Sequence, residues 1–454
     1  MIAGTLSYAA ESMGGTLHGA DLDFRGVSTD TRTLKSGELF VALQGPHFDG
    51  SKFVRDAAAR KAAAAVVPNA VETDLPIIVV DNTLAALGRL GANWRQQLQA
   101  TVIGITGSNG KTTLKELLAS CLSISDPTLA THGNLNNEIG VPLMLLRMGE
   151  NHRYAVIEMG ANHPGEIGYL ASLASPSLVA ITNAAPAHLE GFGSVEGVAH
   201  AKGEILAGDV RPDYAVLNAD DDYFEYWKTL AGDAEIVSFG LSAEAQFRAS
   251  GIEATDEGSS FVLHMPDGQL TISIPLQGRH NVSNACAAAA IAHVLGIPDS
   301  QIRKGLEAVH PFHGRLQPVR SASGAVLFDD SYNANPVSVQ AAAEFLASQS
   351  GDSWLVLGDM AELGGDGELL HAHTGWVVRE AGVSHLLATG PLSMRTVEAF
   401  GDTGRWFESI DELIDDLRNS IGEGDVVLVK GSRSMGMERV VNALTDRLAK
   451  VGSA

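Results

Sequence analysis

The sequence predicts an α/β protein of three domains: a small mixed α/β N-terminal domain, a central doubly wound sheet, and a C-terminal Rossmann-like α/β domain. Three observations carry this. At roughly 150 residues per domain, 454 residues suggest about three units. The apolar runs "TVIGIT", "YAVIEMG", "SLVAITN" and "YAVLNAD" each end in a polar turn, as strands covered by helices on both faces do. The same alternation returns later in "AVLFDDS", "SWLVLGDM", "HLLATG" and "DVVLVKGS".

Residues 1–81 form the first domain, with short strands in "GELFVALQG" and "PIIVVD". Its Ala-rich "DAAARKAAAAVVP" reads as a helix running into a strand that Pro68 ends. Residues 82–312 form the central domain. Within it, 235–276 depart from the strand-helix rhythm, and "FVLHMPDG" with "QLTISIPL" reads as a hairpin around Asp267-Gly268. The third domain, 313–454, begins near "HPFHGRLQPV". No repeat or low-complexity tract interrupts the order. In open sheets of this kind ligands sit at the carboxyl ends of strands, so chemistry is sought just after each apolar run.

Composition narrows the function classes. Hydrophobic residues at 45% and charged residues at 19% argue against disorder. The net charge of -23, from 31 basic and 54 acidic residues, disfavours non-specific nucleic-acid binding, which needs clustered Lys and Arg. No apolar run approaches the ~20 residues of a membrane span. No signal peptide is readable in "MIAGTLSYAAESMGG". Cys121 and Cys286 lie in apolar, helix-like contexts and read as buried free thiols. A cytoplasmic protein is expected.

The strongest single motif is "GITGSNGKTTLKELL", residues 104–118. A strand leads into Gly107-Ser108-Asn109-Gly110-Lys111-Thr112-Thr113 and then into a helix. Glycines let the backbone curl, its N–H groups and the helix N-terminus face phosphates, Lys111 adds positive charge, and a hydroxyl can bind Mg²⁺. This context makes the central sheet P-loop ATPase-like. The spacing is unusual, because Ile105 stands where G-x-x-x-x-G-K-[ST] requires the first glycine.

Other strand ends are weaker. Glu158 can hold a cation beside the loop, or simply cap or salt-bridge. His188, after "SLVAITN", has a structural alternative that is the commoner fate of a lone histidine. Lys202, in "VEGVAHAKGEIL", reads from its neighbours as a solvated surface lysine. Asn281 and Asn284 share one helix face and can bond a purine edge or cap the helix. "VLFDDSYNANP", "LGDMAELG" and "LVKGSRSMGME" suggest a second binding face in the third domain.

Taken together, "GSNGKTT", "GNLNNEIGVP", "AVIEMGANHPGEI", "AHLEGFGS", "AKGEI", "GRHNVSNA", "DDSYNANP" and "VKGSRSM" resemble the Mur ligase family over nearly the whole chain. Within it they most resemble the branch that adds D-alanyl-D-alanine to UDP-N-acetylmuramoyl-tripeptide. That family has the shortened Gly-x-x-Gly-Lys loop. The resemblance implies ATP, two Mg²⁺ ions, an acyl phosphate and a tetrahedral intermediate. It implies that Lys111 and the loop hold the β and γ phosphates. Thr112 and Glu158 would bind one Mg²⁺, and His188 the second, helped by a CO₂-derived carbamate on Lys202. It assigns Asn281 and Asn284 to adenine. Arg315 and Asp330, or its neighbour Asp329, would close on the nucleotide. Lys430 and Ser432 fall on the incoming-substrate side, Ser28, Thr29, Asp30 and Arg32 at the UDP end, and Asn134, Asn136 and Asn137 on the muramoyl-peptide side. A monomer is expected. No Asp-Asn-Pro-Arg motif occurs, which favours the dipeptide-adding branch over the one adding a diamino acid. The rivals are another Mur ligase or a folylpolyglutamate synthase and, from another class, a nucleotide switch. The chain has no Asn-Lys-x-Asp guanine signature to support the switch.

Overall fold

The computed structural model describes residues 1–45, 48–208, 211–255 and 257–451. The N-terminal five-stranded sheet runs Thr16–His18, Ile77–Val79, Ala64–Val67, Leu39–Val41, Val27–Ser28. Only its first pairing is antiparallel. The Ala-rich segment folds as read: helix Val54–Ala59, then strand Ala64–Val67. The following helix, Thr83–Gln96, is capped by the Asn82 side chain, which accepts from Ala85 N. It buries Ala86, Leu87 and Leu90 in the N-terminal core with Leu6, Met13 and Ile78. It also meets the central helices Gly140–Arg147 and Glu166–Ala174, tying the first unit to the second.

The central sheet has nine strands in the order Thr128–Ala130, Tyr154–Glu158, Thr101–Thr106, Leu178–Ile181, Tyr214–Asn218, Glu235–Gly240, Phe247–Thr255, Gly258–Met265, Gly268–Ile274. The pairings are parallel up to Phe247–Thr255, and the hairpin Gly258–Met265/Gly268–Ile274 adds an antiparallel edge. The hairpin stands where the sequence put it. However, Glu235–Gly240 belongs to the parallel ladder, although the sequence set 235–276 apart. Along the chain, Thr101–Thr106 is followed by strands on one side and then by Leu178–Ile181 on the other. That reversal opens a crevice at the carboxyl end of Thr101–Thr106, the place where such sheets bind ligands.

Helix Lys111–Leu122 packs on the Ala-rich helix Arg279–Val294 through a fully apolar core. Cys121 and Cys286 are free within it, and burial pushes both thiols up, Cys121 to about 12.

The C-terminal six-stranded sheet runs Gln317–Arg320, Val326–Asp330, Val426–Lys430, Ser353–Gly358, His385–Thr389, Gly404–Phe407, parallel except at Gln317–Arg320. The four apolar runs read from sequence are its inner strands. The outer two escaped notice because no apolar run marks them: every residue of "GRWF" is half-exposed. Among the described residues no helix is long and apolar enough to cross a membrane.

Candidate active site

The phosphate loop leaves strand Thr101–Thr106 through Gly107, at φ 143°. A Cβ on Gly107 would overlap the Thr182 hydroxyl, so only glycine fits. Gly110, at φ 82°, lies so close to the Asn284 amide that a Cβ would sit 2.5 Å from its Oδ1. The loop is clamped by the next strand end. Asn109 N donates to Asn183 Oδ1 (2.9 Å), Thr182 Oγ1 donates to Asn109 O (2.6 Å), and Ala185 N donates to Ser108 Oγ (3.0 Å). Helix Lys111–Leu122 begins with no side-chain cap, so its first N–H groups and its positive dipole end are free for an anion. Lys111 Nζ folds back on Gly107 O (2.6 Å) and Ser108 O (3.1 Å). Burial in the cleft lowers its pKa, Arg315 adds to this, and Glu158 opposes it.

Glu158, only 3% exposed, ends the neighbouring strand. Its Oε2 accepts from Thr112 Oγ1 at 2.9 Å, its Oε1 from Asn136 Nδ2 at 2.8 Å, and its own N–H donates to Thr131 Oγ1 at 2.9 Å. From the third domain, Arg315 Nη2 donates to the same Thr112 hydroxyl (2.9 Å), with its guanidinium 4.3 Å from the centre of the Tyr332 ring. Among the described residues no three His, Cys, Asp or Glu side chains are grouped so as to hold a metal ion by themselves. A hydroxyl and one carboxylate are hard oxygen donors. They fit a cation that keeps water and phosphate in its remaining positions, which is the habit of Mg²⁺.

Across the cleft, His188 sits at φ 54°, ahead of the short helix Leu189–Phe192. Its Nδ1 touches the Glu362 carboxylate of the third domain, and Glu190 N donates to Glu362 O at 3.1 Å. Glu362 is itself left-handed, at φ 62°. Burial depresses the His188 pKa, Glu362 opposes this, and Lys111 and Lys202 add to it.

Lys202 corrects its surface reading. Helix Val195–Gly203, capped by Ser194, buries it to 2% exposure with Nζ 5.2 Å from the centre of the Phe192 ring. Among the described residues its Nζ makes no hydrogen bond. Burial first, then the charge of Lys111, push its pKa down to about 7 against Glu204 and Glu166.

Asn281 and Asn284 are buried within helix Arg279–Val294, whose N-cap position is Gly278, so neither caps it. Asn281 Nδ2 donates to Gln277 O (2.8 Å), and Asn284 faces Gly110. In the third domain Asp330 accepts from Leu316 N (3.1 Å) and Lys430 Nζ (2.7 Å), and Lys430 also donates to Asn333 O (3.0 Å). Asp329 is fully buried against Ser331, Gly314 and His313, within its own domain. Ser432 bridges Asp359 O and Ala361 N.

Of the three asparagines, Asn136 joins Glu158, Asn137 Oδ1 accepts from Gly140 N (2.9 Å) ahead of helix Gly140–Arg147, and Asn134 is exposed. Ser28, Asp30 and Arg32 form their own knot, with Ser28 Oγ donating to Asp30 O and the Arg32 guanidinium forked on Asp30. Thr29 lies between them. Among the described residues no hydrogen bond links this knot to the phosphate loop.

Sequence reasoning missed Thr131, Asn183, Asn335 and Glu362. Asn335 N-caps helix Pro336–Ala347, and its Nδ2 donates to Asn109 Oδ1 of the phosphate loop at 2.7 Å. Their one common signal is position: each follows a strand end within a few residues.

Known proteins share this layout. The family model of the Mur ligase middle domain matches residues 105–292, that of the Mur ligase glutamate ligase domain 314–433, and that of the Mur ligase family catalytic domain 23–95. A relative from Escherichia coli (strain K12), UDP-N-acetylmuramoyl-tripeptide--D-alanyl-D-alanine ligase, is 44% identical over 98% of this chain and 99% of its own. The chain belongs to the Mur ligase family. A relative of the same name from Bacillus subtilis (strain 168) is 34% identical, covering 98% of this chain and 99% of its own. The crystal structure of MurF from Acinetobacter baumannii superposes on this Mur ligase with a TM-score of 0.93 at 36% identity, over 98% of this chain and 99% of that one. MurF ligase from Thermotoga maritima in complex with ADP gives 0.83 at 25% identity, over 94% and 98%. A Mycobacterium tuberculosis folylpolyglutamate synthase, at 18% identity, TM-score 0.64 and 79% of this chain, shares the fold alone.

Proposed function

We propose that this Mur ligase uses ATP to join D-alanyl-D-alanine to UDP-N-acetylmuramoyl-tripeptide. One observation carries the reading: relatives bearing that name align end to end with the chain, at 44% and 34% identity. The γ-phosphoryl group passes to the tripeptide carboxylate, so an acyl P–O bond forms and ADP leaves. The dipeptide amine then adds to the acyl carbon, and the tetrahedral adduct expels phosphate and loses a proton to leave the amide.

Two anions must meet for the first step, and Lys111, the open helix N-terminus and Arg315 supply positive charge there. Mg²⁺, bound by Thr112 and Glu158, would neutralise phosphate oxygens as a Lewis acid. A second ion would be held by His188 with Lys202 as its carbamate. Support for the carbamate lies in an amine that makes no hydrogen bond among the described residues and whose pKa falls to about 7, because the uncharged form is the one that reacts with CO₂. Asn281 and Asn284 would hold adenine beside Gly110. Arg315 and Asp330 would close on the nucleotide, with Asp330 steadying Lys430, and Lys430 and Ser432 would shape the dipeptide side. Asn134, Asn136 and Asn137 would meet the muramoyl peptide, and Ser28, Thr29, Asp30 and Arg32 the UDP end. We assign residues 1–81, 82–312 and 313–454 to the UDP-binding, ATP-binding and ligase domains. A cytoplasmic monomer completes the reading, consistent with two buried free cysteines and a nucleotide-driven reaction.

Phosphate release should require ATP, UDP-muramoyl-tripeptide and D-alanyl-D-alanine together. Release driven instead by a free diamino acid or glutamate would transfer the chain to another amide ligase of this fold.

A further inference from the structure

One more lysine of the phosphate-loop helix has no role in the steps above. Lys115 lies a single turn after Lys111 and is 1% exposed. An ammonium buried this deeply is costly unless it is paired. Its Nζ is 2.6 Å from a carboxylate oxygen of Glu116 and donates to Thr131 O at 2.7 Å.

Thr131 is the link to the site. Its hydroxyl accepts from Glu158 N (2.9 Å), and its own N–H donates to Val156 O (3.0 Å). Five residues on, Asn136 Nδ2 donates to Glu158 Oε1. The segment 131–136 therefore grips Glu158 through backbone and side chain together. Yet it follows strand Thr128–Ala130, a three-residue strand at the edge of the sheet. A ladder that short is a weak anchor. Lys115 ties the segment directly to the helix that carries Lys111 and Thr112.

We infer that Lys115 is a positioning residue. Through Thr131 it fixes segment 131–136, and so the Glu158 carboxylate, against the phosphate loop, so that a divalent cation meets Thr112 and Glu158 already in place. The inference rests on the proposed reading of Thr112 and Glu158 as a cation site.

Mn²⁺ titrated into the full-length protein with ADP, followed by electron paramagnetic resonance, tests both levels. In the wild type Mn²⁺ should bind; failure to do so would sink the cation site itself. In Lys115→Met the Mn²⁺ midpoint should rise by about tenfold, the lower end of what loss of a supporting partner costs a metal site. Thr131→Val, which breaks the next link, should reproduce the shift and carries the test if Lys115→Met does not fold. The dipeptide KM should barely move, whereas general loosening of the cleft would raise it. A wild-type midpoint in either folded variant overturns the relay.

Discussion

On one side of the cleft, Glu158 and Thr112 are held by Asn136, Thr131 and Arg315, and each of their side-chain oxygens has a partner. On the other, Lys202 has an aromatic ring 5.2 Å away and no hydrogen bond among the described residues, while His188 leans on a carboxylate from another domain. The first half is preorganised by its own hydrogen bonds. The second holds a desolvated amine whose burial disfavours its charged form. Strongly desolvated ionisable groups of this kind concentrate at functional sites. CO₂ bound as a carbamate would turn that cation into an anion, beside Lys111 and His188, and would complete the half that the protein leaves unfinished. The contrast predicts different responses to mutation: changes on the wired side should cost activity and stability together, and changes on the unwired side should separate them.

The largest effect is expected at Lys111, whose charge is felt by Glu158 on one side and by His188 and Lys202 on the other. Lys111→Ala should lower kcat by roughly 10²–10³-fold, as loss of a preorganised charge-stabilising donor does, in steady-state phosphate release. Next comes Lys202→Ala, expected to cost about 10²-fold, the upper range for a group supporting a metal site. Acetate or propionate should restore part of the loss. In wild type, ¹³C-bicarbonate should yield a carbamate signal by ¹³C NMR that the variant lacks. Full activity in Lys202→Ala would mean the amine is merely trapped. Glu158→Gln should cost activity and also about 1–3 kcal/mol of stability, because an amide NH₂ would then face a donor inside a buried network. Chemical denaturation reads the second loss, and an unchanged midpoint would erase the contrast with Lys202.

The wired half was the more legible in sequence, for a physical reason. Gly107 to Thr113 is contiguous, its glycines answer to local backbone geometry, and Glu158 ends a plain apolar run. Lys202 sits among "VAHAKGEIL", where nothing local marks burial; helix packing against Phe192 and Trp227 creates it. Only the likeness to a family singled that residue out. Asn335 and Glu362 reach the site from a separate domain, and Thr131 follows a strand too short to announce itself. The same logic holds for the fold. Strands buried on both faces were read, while Gly404–Phe407, half-exposed throughout, and Glu235–Gly240, which opens on a charge, were not.

The gentlest test concerns pH and stability at Lys202. Its folded pKa is about 7 against an ordinary 10.5, so the native state binds fewer protons than the unfolded state between those values. Below about pH 7 the protein must bury the charged amine, and the penalty is full. Rising pH removes the proton in the native state first, and the penalty fades by about pH 10.5. In CO₂-depleted buffer, Lys202→Met should therefore be more stable than wild type at pH 6, with an advantage that shrinks steadily toward pH 10 in urea midpoints. The sign is opposite to that expected at Glu158, where substitution should destabilise. A constant difference across the range would show that the amine finds compensation in the native state, and the two sides of the cleft would then be alike.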